Sequence, residues 1–359
     1  MLEDEGLRLL QGLVAIPSLS GQEAAASAFL VDWMAAHGFR AFVDPAGNAV
    51  GVLEGGPGAA DEPAREILLL GHIDTVPGRL PVMVRDGKLY GRGAVDAKGP
   101  LAAFATAAAQ AGAQPGWRIV VAGAVEEEAA TSRGARYLAP QHRPALAVIG
   151  EPSGWQRVTV GYKGRLLADA TVRQAISHRS GRLPSACEVA VSFWNRVEAH
   201  LGEWNAGRER AWDQVLPALF GFASSDDGLV EEARLKVGFR LPPDMGPEEL
   251  KPVLQGLAGS IALSFRGEES AYQAEKDSPL ARAFLRAIRG QGGRPGFLLK
   301  TGTSDMNVVG PLWRCPILAY GPGDSSLDHT PEEHIDLQEW AQGVGVLAYV
   351  LRSLGERGG

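Results

Sequence analysis

Apolar runs of strand length, each followed by a polar turn, constrain this chain more than any other feature. Residues 67–70, 119–125 and 146–149 contain only apolar residues and glycine. Strands that are buried on both faces of a parallel sheet have such continuous apolar sequences. Helical segments lie between the runs, and residues 100–111 are Ala-rich with proline in the first turn, where proline is tolerated. This order predicts an α/β fold in which a mostly parallel sheet is flanked by helices.

The sequence pattern changes in the middle of the chain. Residues 166–173 and 232–241 alternate between apolar and polar, residues 261–266 form another strand-like run, and two helical stretches (185–201 and 247–257) accompany them. This predicts a ferredoxin-like α+β domain. Helix/strand alternation resumes after residue 278. We therefore predict one domain made of residues 1–159 and 268–359, with an insert at residues 160–267.

Composition excludes several classes of protein. The 359 residues carry a net charge of −7, which argues against a nucleic-acid-binding protein. The two cysteines are too few for a disulfide framework or a cysteine metal knuckle. Three of the first five residues are acidic, unlike the start of a signal peptide, and no apolar stretch reaches the length of a membrane span. We expect a cytoplasmic protein that binds neither nucleic acid nor membrane.

Histidine and carboxylate residues follow the predicted strands. His72 and Asp74 come directly after residues 67–70, and Asp96 lies in a glycine-framed segment before the helix at 100–111. Other acids and one histidine follow later strands: Glu126, Glu127, Glu128, Glu151 and His329. The carboxyl ends of parallel strands meet at one edge of a sheet, so these side chains should converge. Imidazole and carboxylate together predict a site for a borderline-hard metal ion.

Three motifs carry a resemblance to a known family. They are Gly-His-x-Asp-x-Val-Pro at 71–77, Gly-Arg-Gly-x-x-Asp-x-Lys-Gly at 91–99 and His-Thr-Pro-x-Glu at 329–333. The chain resembles the dinuclear zinc aminoacylase/carboxypeptidase superfamily, which includes acetylornithine deacetylase and succinyl-diaminopimelate desuccinylase. The resemblance spans nearly the whole chain. It implies a catalytic domain with two Zn²⁺ ions, for which Co²⁺ or Mn²⁺ can substitute, and an inserted domain that acts as lid and homodimerisation surface.

The resemblance also implies a role for each candidate residue. One zinc would be held by His72, Asp96 and Glu151, and the other by Asp96, Glu128 and His329. Glu127 would be the general base, and Asp74 would orient a ligand imidazole. Because three acids stand in a row, a second register, with Glu126 as base and Glu127 as ligand, stays open. A cis peptide bond between Asp96 and Ala97 is implied as well.

Two further features concern the bound substrate. His178, in the predicted insert, would stabilise the oxyanion, although Ser177 and Arg179 replace the family's usual neighbours. Residues 300–305 would line the substrate pocket, where Gly302 and Thr303 could offer backbone donors to a carboxylate. A tight turn without contact to substrate is the alternative for that loop.

Chain length and the segments 126–136 and 321–325 resemble one branch of the superfamily. That branch releases lysine, and in some organisms ornithine, from a small acidic amino-group carrier protein in lysine and arginine biosynthesis. Residues 157–182 contain six basic side chains and one acid, so a basic lid could attract such a partner. Ordinary solvated arginines are the alternative. Acetylornithine deacetylase, another aminoacylase or dipeptidase, and a metal-dependent binding protein without turnover are the competing functions.

Overall fold

The computed structural model describes residues 2–57, 63–178, 181 and 183–355. Its contacts divide the chain into two compact units. The first comprises Met1–Gly161, Ala274–Leu298 and Ser304–Gly359, and the second comprises Tyr162–Gln273 and Leu299–Thr303. The second unit thus covers most of the predicted insert and adds a short later segment. Its role as a lid or dimerisation domain stays a prediction.

The first unit contains seven helices and most of the strands among the described residues. The helices are α1 (Leu2–Ala15), α2 (Ala24–Ala36), α3 (Lys98–Ala111), α4 (Arg133–Leu138), α7 (Pro279–Gly290), α8 (Asp305–Trp313) and α9 (Leu337–Gly355). The longer strands are β1 (Arg40–Val43), β2 (Ala49–Glu54), β3 (Arg65–His72), β6 (Trp117–Ala124), β7 (Leu146–Gly150) and β8 (Arg157–Tyr162). The shorter strands are β4 (Met83–Arg85), β5 (Lys88–Tyr90), β14 (Gly296–Lys300), β15 (Ile317–Ala319) and β16 (His334–Asp336).

A largely parallel sheet forms the centre of the first unit. Its strands follow the order β1-β2-β6-β3-β7-β15-β8. The four central strands β6, β3, β7 and β15 are parallel, whereas β2 and β8 pair antiparallel at their sides. Nearly every residue of β3, β6 and β7 is buried. Since successive side chains of a strand point to opposite faces, both faces of the sheet are covered, as predicted.

Three glycines let helix α3 lie close to the sheet. Gly71, Gly123 and Gly150 are paired across three neighbouring strands. A Cβ atom on Gly150 would lie 2.9 Å from Phe104 of α3, and one on Gly123 would lie 3.1 Å from Leu101. Glycine is therefore required for this close packing. It places the start of α3, directly after Asp96, at the carboxyl ends of the central strands.

The second unit has the predicted ferredoxin-like topology. Its elements are β9 (Gly164–Ala175), α5 (Ala186–Asn205), β10 (Leu216–Asp226), β11 (Val230–Leu241), α6 (Pro247–Ala258), β12 (Ala262–Glu269) and β13 (Tyr272–Gln273). Four strands form an antiparallel sheet in the order β10-β11-β9-β12. Alternate residues of β9 and β11 are buried in a core with apolar side chains of both helices. The sequence alternation reflects this one-sided burial.

Several elements were absent from the sequence prediction, among them strand β10 and helix α8. Strand β10 lies at the sheet edge and most of its residues are exposed, so it lacks the alternating pattern of a half-buried strand. Helix α8 contains Gly310 and Pro311, which normally argue against a helix. None of the described helices combines the length and the hydropathy needed to cross a lipid bilayer.

Candidate metal centre

Strand register brings the first candidate residues together. His72, the last residue of β3, pairs with Ala124, the last residue of β6. On the other side of β3, Gly71 pairs with Gly150, the last residue of β7. Residues 126–128 and Glu151 follow β6 and β7 directly, so they surround His72. The strand order therefore places His72, residues 126–128 and Glu151 at the same edge of the sheet.

Asp96 lies between two histidines. Its Oδ1 atom is 3.1 Å from Nε2 of His72, and its Oδ2 atom is 3.1 Å from Nε2 of His329. The two oxygens of one carboxylate therefore face two different imidazoles. The predicted cis peptide bond between Asp96 and Ala97 is confirmed. The side chain is in the position that a carboxylate shared by two metal ions would take.

His329 reaches this place through a small second sheet. Strand β16 pairs antiparallel with β5, with His334 opposite Tyr90. The chain just before β16 therefore runs beside the chain just after β5, which leads to Asp96. Nε2 of His329 also lies 2.9 Å from Oε1 of Glu128. A residue more than two hundred positions away in sequence thus joins the site.

Three groups of side chains have the donor spacing of a metal site. The groups are His72, Asp96 and Glu151; Asp96, Glu128 and His329; and His72, Glu127 and Glu128. Within each group the donor atoms lie within 4.8 Å of one another. The first two groups are the two ligand sets expected from the sequence, and they share Asp96. Their mixed imidazole and carboxylate donors fit zinc and similar transition-metal ions.

The carboxyl groups are held close together in a buried region. Burial raises the pKa of Glu127 well above its usual range, and nearby Asp305 adds to that effect. Burial likewise raises the pKa of Glu151, with a further contribution from Glu127. Asp305, the first residue of α8, belongs to the loop at 300–305 that was expected to line the substrate pocket, but no role beside Glu127 had been predicted for it. Bringing these carboxylates together in ionised form requires compensating positive charge, and divalent cations would supply it.

The two imidazoles respond to the same negative charge. Burial lowers the pKa of His72, but hydrogen bonds with Asp74 and Asp96 outweigh burial and the pKa is raised well above its usual value. Hydrogen bonds with Asp96 and Glu128 raise the pKa of His329 to about 10. Both histidines therefore occupy positions in which a positive charge is stabilised, as at a metal ion.

Asp74 holds the acidic loop in place. Its carboxylate is fully buried and accepts hydrogen bonds from the backbone N–H groups of Glu127 (3.1 Å) and Glu128 (3.0 Å), and from Oγ of Ser20 (2.7 Å). Nδ1 of His72 lies 3.1 Å from the carbonyl oxygen of Asp74 and 3.5 Å from its carboxylate. Asp74 thus contacts His72 through both its backbone carbonyl and its carboxylate, and the carboxylate also orients residues 127 and 128.

Glu126 points to a different set of partners. Its carboxylate pairs with Nε of Arg133 at 2.9 Å and accepts a hydrogen bond from Oγ1 of Thr131 at 2.7 Å. Glu126 is in none of the three groups of candidate ligands found among the described residues. This geometry favours the register in which Glu127 is the base and Glu128 a ligand.

Comparison with known proteins gives the family. The model of the family described as Peptidase family M20/M25/M40 matches residues 68–353. The chain belongs to this family. An M20 family metallo-carboxypeptidase from Sulfolobus solfataricus has a similar fold, with a TM-score of 0.77 and 17% identity over 97% of this chain and 99% of that one.

Two curated relatives of this chain have names that state a substrate. The LysW-lysine hydrolase of Deinococcus radiodurans is 49% identical over 96% of both chains. A Thermococcus kodakarensis protein, provisionally named a LysW-lysine/LysW-ornithine hydrolase, is 38% identical over 98% of this chain and 92% of its own length. The family and these relatives make the chain a hydrolase of amide bonds, and metal dependence is typical of the family.

Of the remaining predicted site residues, His178 and residues 300–303 lie in the second unit. His178 is exposed and follows β9, and its carbonyl oxygen accepts a hydrogen bond from Gly181. Its role at the oxyanion stays a prediction. In the loop at 300–305, Oγ1 of Thr303 accepts a hydrogen bond from Arg240 at 2.5 Å, and Ser304 caps helix α8. These contacts account for the loop as a structural turn, and its contact with substrate also stays a prediction.

The predicted basic lid of the second unit needs correction. Lys163 is fully buried, and its ammonium group donates hydrogen bonds to the carbonyl oxygens of Ala211 and Gln214. Arg173 lies opposite Glu232 in the neighbouring strand. Arg179 and Arg182 lie outside the described residues. Counting charges along one segment missed the burial of Lys163, so the segment presents fewer basic side chains at the surface than its sequence indicates, and attraction of an acidic partner stays a prediction.

Proposed function

We propose that this chain is a two-metal hydrolase that releases lysine from the amino-group carrier protein LysW in lysine biosynthesis. The chemistry depends on one observation: the two carboxylate oxygens of Asp96 face two histidines that belong to different ligand groups. The choice of substrate depends on the relative named LysW-lysine hydrolase, with 49% identity over nearly the whole chain.

The proposed metal ions are two Zn²⁺, with Co²⁺ or Mn²⁺ as substitutes that the same donors accept. His72, Asp96 and Glu151 would hold one ion, and Asp96, Glu128 and His329 the other. Three ligand carboxylates balance most of the charge of two divalent cations. When bound, such ions polarise the carbonyl group and lower the pKa of a coordinated water to near 7.

Glu127 then acts as the proton carrier. It is within 4.8 Å of donor atoms on His72 and Glu128, so it lies beside both ligand groups while belonging to neither of the two that share Asp96. Its carboxylate would accept a proton from the attacking water and return it to the departing amine, which completes the cleavage of the amide bond. Asp74 keeps Glu127 and Glu128 in place through their backbone N–H groups.

The finer features of the proposal concern the setting of the reaction. We place the enzyme in the cytoplasm and assign homodimerisation and closure over the substrate to the second unit, with His178 as the group that stabilises the oxyanion. LysW would bind as a protein substrate through its attached lysine. Ornithine is the second amino acid we consider, because the Thermococcus kodakarensis relative carries both names.

A substrate panel tests this proposal. The metal-reconstituted protein is given LysW-lysine, LysW-ornithine, N-acetylornithine, succinyl-diaminopimelate and a simple dipeptide, and the released amino acid is measured by mass spectrometry. We expect the highest kcat/KM with LysW-lysine. LysW-ornithine should be slower by about 10- to 200-fold, because the two substrates differ by one methylene. Cleavage of N-acetylornithine without release of lysine from LysW would establish a deacetylase instead. Binding of LysW-lysine without any cleavage would establish a binding protein.

A further inference from the structure

Two segments of the first unit, residues 91–98 and 329–333, are joined by hydrogen bonds that centre on Glu333. One segment carries Asp96 and the other carries His329. Gly91 N–H donates to the carbonyl oxygen of Glu333 at 3.3 Å, and Nη1 of Arg92 donates to the carbonyl oxygen of Thr330 at 3.3 Å. The remaining bonds go to the Glu333 side chain.

The Glu333 carboxylate is almost fully buried and uses both oxygens. Oε1 accepts hydrogen bonds from the backbone N–H groups of Val95 (3.0 Å) and Asp96 (3.2 Å). Oε2 accepts one from Nη1 of Arg92 at 2.6 Å. Hydrogen bonds to an ionised acceptor are short and strong, and a buried carboxylate with three donors has a fixed position. Glu333 therefore determines where the backbone of Asp96 lies.

We propose that Glu333 is a positioning residue that holds Asp96 and His329 in the mutual placement needed for metal binding. This inference depends on the proposed two-metal function. Glu333 is four residues after His329 in the chain and bonds directly to the backbone of Asp96. Glu333 therefore holds in place both residues of the pair in which Oδ2 of Asp96 lies 3.1 Å from Nε2 of His329.

The two metal ions should not depend equally on Glu333. The group of Asp96, Glu128 and His329 takes two of its three side chains from the segments that Glu333 joins. The group of His72, Asp96 and Glu151 takes only Asp96 from them. Loss of the Glu333 contacts should therefore weaken the ion held by His329 more than the ion held by His72.

The test is a Zn²⁺ titration of the metal-free protein against a competing chelator, with Glu333→Gln compared with wild type. Glutamine keeps one oxygen for Val95 and Asp96 and presents an amide N–H₂ group to Arg92. We expect one of two binding steps to weaken by about 10- to 100-fold, the usual effect of losing a residue that supports a metal ligand. Glu333→Ala should weaken it further. A His329→Ala variant identifies this step, because it should remove the same one.

Asp44→Asn is a matched control. Oδ1 of Asp44 accepts backbone N–H groups of Ala46 (2.8 Å) and Asn48 (3.0 Å), and Oδ2 accepts the Asn48 side chain (2.8 Å). This buried aspartate likewise accepts two backbone N–H groups and one side-chain donor, a neutral amide in place of Arg92, and it bonds to no candidate ligand. Its variant should lose thermal stability while both zinc affinities stay at the wild-type values.

Two results would overturn the inference. Glu333→Gln could bind both ions as tightly as wild type, whether or not it loses thermal stability, or it could weaken both equally. A wild-type protein that binds fewer than two ions would instead contradict the proposed function, and this inference with it. Intact two-ion binding in wild type with an unchanged variant would contradict the Glu333 role alone.

Discussion

Replacing Asp96 with asparagine is expected to weaken the binding of both metal ions and to lower the rate of hydrolysis by several orders of magnitude. The amide has one oxygen and no negative charge, so it cannot supply two anionic donor atoms to two ions. Metal affinity should fall by on the order of 100-fold or more at both positions. The rate should fall by about 10³- to 10⁴-fold, since the metal ions contribute several kcal/mol to catalysis. Metal content by elemental analysis and the rate of amide cleavage measure the two effects.

Asp169→Asn is the control for this change. Asp169 lies on β9 of the second unit, pairs with Arg266 at 3.2 Å and belongs to none of the candidate ligand groups found among the described residues. The control should keep two ions per chain and near wild-type activity. If Asp96→Asn retained one tightly bound ion, Asp96 would be a ligand of the other ion only, and the shared-carboxylate geometry would be contradicted.

Glu127→Gln should separate catalysis from metal binding. The variant should still bind two ions, because Glu127 belongs to neither of the groups that share Asp96. Its kcat should fall by about 10²- to 10⁴-fold, the usual contribution of a positioned general base. The KM should change little. Steady-state kinetics with parallel metal analysis provides the measurement.

Glu126→Gln tests the alternative register directly. Glu126 pairs with Arg133, whose side chain is half exposed, and with Thr131, so its loss should change the rate by less than about fivefold. In the alternative register, Glu126→Gln would lose the base and Glu127→Gln would lose a metal ion. A large rate loss in the first variant with metal loss in the second would refute our assignment.

The sequence was sufficient to predict that the site residues lie close together, because most of them directly follow strands that are easily recognised. Residues 67–70, 119–125 and 146–149 are apolar along their whole length, which identifies buried parallel strands, and the residues that follow them must meet at one edge. His72, residues 126–128 and Glu151 lie there. Asp96 and His329 are brought in by short strands and turns; their convergence was expected from the strand order, but their assignment to ligand sets came from the motif resemblance.

Contacts between distant segments could not be predicted in this way. Glu333 stood inside a motif that had been singled out, yet nothing in the sequence shows that its carboxylate bonds to the backbone of Asp96. Lys163 appeared as one charge of a basic lid, but it is buried and bonded to carbonyl groups. Asp74 was expected to orient His72 and does contact its imidazole, but the sequence did not indicate that its carboxylate also accepts the backbone N–H groups of residues 127 and 128. Each outcome depends on tertiary pairing, which one-dimensional patterns do not encode.

The most direct test of the central claim is the rate of lysine release from LysW-lysine as Zn²⁺ is added back to metal-free protein. The account predicts no measurable release without metal and a plateau reached at two ions per chain. Both ions are required because Asp96 connects the group that contains His72 with the group that contains His329. Full activity with one ion per chain, or release by the metal-free protein, would contradict it.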